Sequence, residues 1–128
     1  MLLVKTYIDK SKINGIGLFA GEFIPKGTIL WKFVPGFDFV LTKKDFNKLP
    51  EVAKLWVLHF SYHNKVEGGY VICVDDARFF NHSENPNIFD SDNQPSIAKR
   101  DIKKGEEITG NYFDFDADAK LKLAKKDL

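Results

Sequence analysis

The chain has 128 residues, 44% of them hydrophobic, with 19 Lys and Arg set against 18 Asp and Glu for a formal net charge of +1. That is one domain's worth of chain and enough apolar content for a modest core, with a charge balance that demands neither nucleic acid nor an anionic membrane as partner. A single cysteine, Cys73, excludes an intramolecular disulfide framework and a cysteine-rich zinc cluster, and no segment approaches the ~20 apolar residues of a membrane span. The apolar run at the N-terminus is cut by Lys5 and is too short for a signal-peptide core, so the expectation is an intracellular protein.

Leu2 to Ile8 alternates as a strand, with Val4, Thr6 and Ile8 on one face. In Asn14-Gly15-Ile16-Gly17-Leu18-Phe19-Ala20, two glycines open an apolar run, which marks either a tight turn between strands or a backbone that something approaches closely. Phe23-Ile24-Pro25-Lys26-Gly27 is a turn feeding a strand that runs on to Val34. Its phrase returns as Ile102-Lys103-Lys104-Gly105, an echo that predicts two similar turn-and-strand elements. Thr42, three residues before Asp45, predicts an N-cap and a short helix over 43–49. Pro50 and Glu51 suit the first turn of a second helix carrying Val52, Leu55 and Trp56. Leu58, Phe60 and Tyr62 alternate and predict a strand after it. His59 and His63 would share a face, and could hold a metal, only if the helix ran through both; no third ligand accompanies them.

Glu67-Gly68-Gly69 reads as a turn, and Tyr70 to Asp75 as a buried strand. Arg78-Phe79-Phe80-Asn81-His82-Ser83-Glu84-Asn85-Pro86-Asn87 passes from aromatics into a cluster of turn-forming, hydrogen-bonding residues. Ile97-Ala98-Lys99 is a short strand, and Arg100 to Phe115 holds a turn at Lys103-Lys104-Gly105, a strand-like Glu107-Ile108-Thr109 and Tyr112 after a Gly-Asn pair. Alternation continues from Phe113 to Asp116, and residues 117–128 predict a short helix or a frayed end.

Three of these segments together resemble the SET domain, the fold of a large class of protein-lysine methyltransferases. Gly15-Ile16-Gly17-Leu18-Phe19-Ala20, the run from Arg78 to Asn87, and Gly105-Glu106-Glu107-Ile108-Thr109-x-x-Tyr112 are similar to that family's three motifs and stand in its order. The resemblance implies a mostly β (α+β), β-clip-like fold of several small sheets with a short helical insert. It implies one SET domain over 1–128, with a core at about 5–116, a variable insert at about 35–75 and a tail at 117–128. It also implies a pseudoknot, in which the segment ending at Tyr112 threads beside Asn81-His82. No cysteine-rich flanking segments are present, and Glu84 stands where a cysteine is common among chromatin-directed relatives; both features match minimal, free-standing members.

The resemblance further implies methyl transfer from S-adenosylmethionine to a lysine ε-amine, with no metal. Tyr112 matches the catalytic tyrosine. Gly15, Ile16, Gly17, Asn81 and His82 match cofactor-binding positions, with Phe113 or Phe115 packing on the adenine. Tyr62 and Tyr70 are candidates for the lysine channel. So is Gly110, which stands where relatives often carry the Phe or Tyr that tunes how many methyls are added. Glu106 and Glu107 are read as bracing the fold, one an exposed turn acid and one a partner for a nearby base. The implied partner is a lysine-bearing protein or peptide, such as a basic chromatin-type tail, with no direct nucleic-acid or membrane contact. Asp75, Asp76, Asp90 and Asp92 would then rim its groove. The competing class is a SET-fold module that binds peptide without catalysis.

Overall fold

A computed structural model describes residues 1–65, 68–91 and 94–125. Ten short strands, three α-helices and two 3₁₀ turns make up the chain among these residues. Strands β1 (Thr6–Lys10) and β2 (Ile16–Ala20) form an antiparallel hairpin, with Thr6 opposite Ala20 and Lys10 opposite Ile16. Strand β3 (Ile29–Trp31) pairs with β9 (Ser96–Ala98), which pairs in turn with β8 (Ile88–Phe89). Strands β4 (Phe39–Leu41), β6 (Tyr70–Ile72) and β5 (Tyr62–His63) make a second three-stranded sheet in the order β4-β6-β5. The fourth sheet is a parallel pair, β7 (Asn81–His82) with β10 (Thr109–Gly110). The fold is therefore a set of small β-sheets with few helices. Segment 109–110 lies beside 81–82, the juxtaposition that the threaded crossing requires.

The main core forms where the sheets meet. Leu18, Ala20, Leu30, Ile88, Ile108 and the echoed isoleucines Ile24 and Ile102 are each 2% exposed or less. The echo is a pairing: the Ile24 and Ile102 amides donate to each other's carbonyls at 2.8 Å, and both turns exit through a glycine with positive φ, 86° at Gly27 and 91° at Gly105. Two like phrases thus bridge 78 residues of chain with matched geometry.

Several local expectations give way to tertiary contacts. The first strand starts at Thr6 rather than Leu2, because residues 2 and 3 are recruited by β3: Leu2 bridges Trp31, and the Leu3 amide donates to Leu30 O at 2.7 Å. Helix α1 (Lys43–Asn47) starts at the Thr42 cap, whose Oγ1 accepts the Asp45 amide at 3.1 Å. Helix α2 (Glu51–Phe60) continues through the segment that alternation marks as a strand, since Val57 and Leu58 pack with Phe46 and Tyr70. Val52, Leu55 and Trp56 face outward. His59 lies in the last turn of the helix and His63 sits in β5, so they share no helical face; among the described residues no three His, Cys, Asp or Glu side chains converge on a metal-sized site. Strand β6 stops at Ile72, and Asp75 caps a 3₁₀ turn over Asp76–Phe79. Phe113 to Asp116 do not extend as a strand: the Asn111 side chain accepts the Phe113 amide at 3.1 Å and winds Tyr112–Asp114 into a second 3₁₀ turn. The tail forms helix α3 (Ala119–Lys125); Glu67 and residues 126–128 lie outside the described residues. Among the described residues no helix is long and apolar enough to cross a membrane.

Truncating Ile102 to Ala should remove about 2–5 kcal/mol of stability in urea unfolding, because the site is closed on all sides. The same truncation of Phe23, 54% exposed, should stay within about 0.5 kcal/mol.

Candidate functional site

The parallel pair carries Asn81 into the middle of the molecule, where it is 5% exposed. Its amide nitrogen is shared among Asn14 O at 3.1 Å, Ile16 O at 3.3 Å and Glu107 Oε2 at 3.0 Å. The other Glu107 oxygen accepts the Ser11 hydroxyl at 2.7 Å. One carboxylate and one amide thus tie three distant segments together, and they do so through Gly17. A Cβ there would lie 2.5 Å from Glu107 Oε2 and 3.1 Å from Asn81 Nδ2. Gly17 is small to admit this clamp. Gly15 is glycine for a different reason: its φ is +50°, and the space where a Cβ would stand is open. Glu106 is the acid that meets a base, Arg100 at 2.9 Å, whereas Glu107 turns inward to hydroxyl and amide donors.

Asn87 does parallel work on the next segment. It is 2% exposed; its Nδ2 donates to Glu107 O at 2.8 Å and its Oδ1 accepts the Thr109 amide at 2.9 Å. The His82 ring reaches Tyr112, accepting its amide on Nδ1 at 3.1 Å and standing edge-on to its ring. Tyr112 is held at both ends, since its hydroxyl donates to Phe80 O. Burial, and after it the charges of Asp116 and Glu107, push its pKa above the ordinary 10, so the phenol keeps its proton. The sequence marked Asn87 and His82 as motif members, but their side-chain partners depend on which strand lies alongside, which no local pattern records.

Tyr112 stands between two cavities and lines both. The one of about 490 Å³ is bounded by Asn14, Gly15, Ile16, Phe79 and Asn81. The one of about 510 Å³ is bounded by Trp31, Tyr62, Cys73, Asp90 and Phe115. The structure therefore brings Gly15, Ile16 and Asn81 together on one side of Tyr112 and Tyr62 on the other. Phe115 lies in the second group, edge-on to Tyr62 at 5.3 Å and to Tyr112 at 5.9 Å, away from the Asn81 cavity. Phe113 is half-exposed and packs against the His82 ring at 5.8 Å. Tyr70 is a core residue, stacked between Phe46 and His63. Lys122 on α3 lies at the junction of the cavities, paired with Asp116 and 5.8 Å from the Tyr112 ring centre.

Two of the acids expected at a groove rim are engaged in hydrogen bonds within the fold. Asp75 accepts the Leu2 and Ala77 amides, and Asp90 is on the wall of the Tyr62 cavity, its Oδ1 accepting the Ser96 hydroxyl. Asp92 lies outside the described residues. Burial, outweighing the Ser96 bond and helped by Asp114, pushes the Asp90 pKa up to about 6. The Cys73 thiol is pushed up to about 12, by burial first and then by Asp38 and Asp75, and stays protonated.

The SET domain family model matches residues 15–113. The chain is 29% identical over 120 residues to human histone-lysine N-methyltransferase 2D, covering 88% of this chain and 2% of that protein. It is 31% identical over 130 residues to the Drosophila melanogaster histone-lysine N-methyltransferase trr, covering 86% of this chain and 5% of that one. A histone-lysine N-methyltransferase of Cryptococcus neoformans, H3 lysine-36 specific, is 31% identical over 77% of this chain and 13% of its own length. The chain thus spans a small part of these relatives. Among solved structures, a Chaetomium thermophilum Polycomb Repressive Complex 2, humanized and bound to the inhibitor GSK126, superposes with a TM-score of 0.60 at 26% identity, over 88% of this chain and 15% of that one. A Plasmodium falciparum candidate histone methyltransferase gives the same TM-score, 0.60, at 22% identity, over 87% and 95% of the two chains.

Gly17→Ala should lose about 1–3 kcal/mol, since a Cβ strikes the Glu107 carboxylate, and urea unfolding measures it. Asp90 gives a pH-dependent prediction. Its folded pKa, about 6, lies above the ordinary 3.8, so the folded state is favoured by this group below pH 4 and loses that advantage as pH rises through 6. Asp90→Asn should therefore be more stable than the parent at pH 8, by up to about 3 kcal/mol, and the gap should close by pH 4; thermal melts across this range test it.

Proposed function

Because the chain belongs to the SET domain family, we propose that it is an S-adenosylmethionine-dependent protein-lysine methyltransferase whose substrate is a lysine on a basic, histone-type tail. One observation carries the reading: Tyr112 lines two cavities, one shared with Gly15, Ile16 and Asn81 and the other with Tyr62 and Phe115. A methyl transfer in line needs donor and acceptor to arrive from opposite sides of one point, and this geometry offers that point.

The Asn81 cavity fits the donor. Its volume is in the range of small-molecule sites, the open space over Gly15 admits close approach to the backbone, and the Asn81 amide nitrogen is spent on the protein, leaving its carbonyl oxygen to accept from the donor's ammonium. When bound, S-adenosylmethionine supplies a methyl group activated by a sulfonium. The chain's own residues do the rest. Gly15, Ile16 and Asn81 form the donor side, while His82, next to Asn81, holds Tyr112 and packs against Phe113. Tyr62, Phe115 and Gly110 form the acceptor side. Tyr112, neutral and fixed by His82 and Phe80, orients the reacting groups at the junction. The apolar, aromatic walls favour a neutral amine over an ammonium, and attack needs that form.

The first experiment is calorimetric titration with S-adenosylmethionine, followed by transfer of a labelled methyl to lysine-bearing peptides. Tyr112→Phe should bind the donor within about twofold of the parent and lose about 10²–10³ in kcat. Unchanged transfer would remove the role given to Tyr112. Peptide binding with no transfer by the parent would favour the non-catalytic binding module.

A further inference from the structure

The Tyr62 cavity contains a carboxyl that methyl transfer, as assigned to Tyr112 and its neighbours, leaves without a task. Gly110 precedes Tyr112 by two residues, and the place of its missing side chain is taken by a neighbour. Asp90 Oδ2 lies 2.6 Å from where a Cβ would stand, with Phe115 Cε1 at 3.5 Å and Ile88 Cδ1 at 3.7 Å. The absent side chain on β10 has been replaced in space by an acid from the end of β8.

Two carboxylates line this cavity, Asp90 and Asp116, and they differ in how they are balanced. Asp116 is paired with Lys122 and accepts the amides of His63 at 3.0 Å and Asp118 at 2.9 Å. Asp90 has the Ser96 hydroxyl on one oxygen, and among the described residues it makes no ion pair. Phe115 Cε1 shares the space over Gly110 with it, and its charge reaches Tyr62; Tyr112 lines the same cavity, edge-on to Phe115. An aromatic box with one unbalanced carboxyl suits a cation on a thin apolar stem: the ring faces attract the charge and the acid neutralises it. The remaining charged groups do not supply that cation. Asp114 adds negative charge. Tyr62, Tyr112 and Cys73 are held protonated and neutral, chiefly by burial. Lys122 is committed to Asp116, and Lys99 stacks on the neighbouring Phe89 ring at 5.4 Å. Lys32 and Arg78 also line the cavity, and among the described residues neither makes an ion pair with Asp90; Arg78 stands over the Phe79 ring at 4.9 Å.

We propose that Asp90 is the counter-ion that draws the substrate's side-chain ammonium to the Tyr112 end of this cavity and the base that takes its proton. The inference rests on the methyl-transfer reading for the substrate's identity, though not for the binding itself. In the step, one N–H bond of the ammonium breaks, its electron pair stays on nitrogen as the lone pair, and the proton bonds to Asp90 Oδ2. The proton then passes to water at the cavity mouth. The bound ion pair is the resting form, and from it a cation and an anion pass to an amine and an acid, both neutral, an exchange that a poorly solvated site makes less costly. The raised pKa of Asp90 suits a proton acceptor working near neutral pH.

The test follows the Asp90 carboxyl by ¹³C NMR through a pH titration of the full chain, with n-butylammonium, with 1-pentanol as the neutral isostere, and with neither. Butylammonium should lower the Asp90 titration by a unit or more and pentanol should leave it in place. Asp90→Asn, which keeps a side-chain oxygen for Ser96, should weaken butylammonium binding at least tenfold. In a peptide assay the same variant should lose the acid limb near pH 6 from kcat/KM while binding S-adenosylmethionine as the parent does. An Asp90 titration indifferent to butylammonium, or equal binding by the variant, overturns the proposal. If Asp90 binds the ammonium and no methyl is ever transferred, the ammonium site stands and the methyltransferase reading falls. If transfer proceeds while Asp90 ignores the ammonium, the methyltransferase reading stands and the ammonium site falls.

Discussion

The Glu107 carboxylate holds this molecule's centre together. It accepts from Asn81 on one oxygen and from Ser11 on the other, and Asn81 in turn holds the carbonyls of Asn14 and Ile16. Hydrogen bonds to a charged acceptor are among the stronger ones a protein makes, and a buried group that loses its partner is expensive to leave unpaired. Three segments separated by up to 96 residues therefore have one low-energy arrangement. Asn87 repeats the device one strand over, pinning the backbone on both sides of Ile108. The strands concerned are two residues long, too short to specify a register by pleating alone. Side-chain hydrogen bonds set it instead.

That solution has a consequence for the shape of the site. Small sheets meeting at angles leave clefts between them, and here two clefts converge on Tyr112. The tyrosine is positioned by neighbours rather than by its own element, a three-residue 3₁₀ turn: His82 fixes its amide and Phe80 its hydroxyl. Glycine is what allows such close assembly. Gly17 admits the clamp and Gly110 admits Asp90, so each is defined by the polar group that occupies its missing volume.

The motifs were legible because each is contiguous: the two-glycine run, the segment from Arg78 to Asn87, and the approach to Tyr112 can each be read without knowing the fold. So could the Thr42 cap, which depends on a residue three positions away. What escaped was anything decided across the chain. The alternation of Leu58, Phe60 and Tyr62 was overridden by helix packing on Phe46 and Tyr70. Phe115 fell to the Tyr62 side of the site because a 3₁₀ turn intervened where alternation suggested a strand. Asp90 read as a rim acid, since its neighbour in space, Gly110, is 20 positions on and offers no side chain to predict it from. The echo of Ile24 in Ile102 was visible as a repeat, but that the two copies bond to each other was not.

The same echo bears on how the chain is made. Ile24 leaves the ribosome long before Ile102 exists, and until then its amide, its carbonyl and its side chain have no mate. The glycine loop at 14–17 waits longer still, for Glu107. Most of the polypeptide must therefore emerge before the hairpin of β1 and β2 can settle into its final seat. Contacts of such long sequence separation form slowly, because the entropy of closing the intervening loop is lost before the contact returns anything. Vectorial synthesis thus offers this fold little head start, and its nascent form has to survive with an apolar strand, Leu18 to Ala20, still looking for cover.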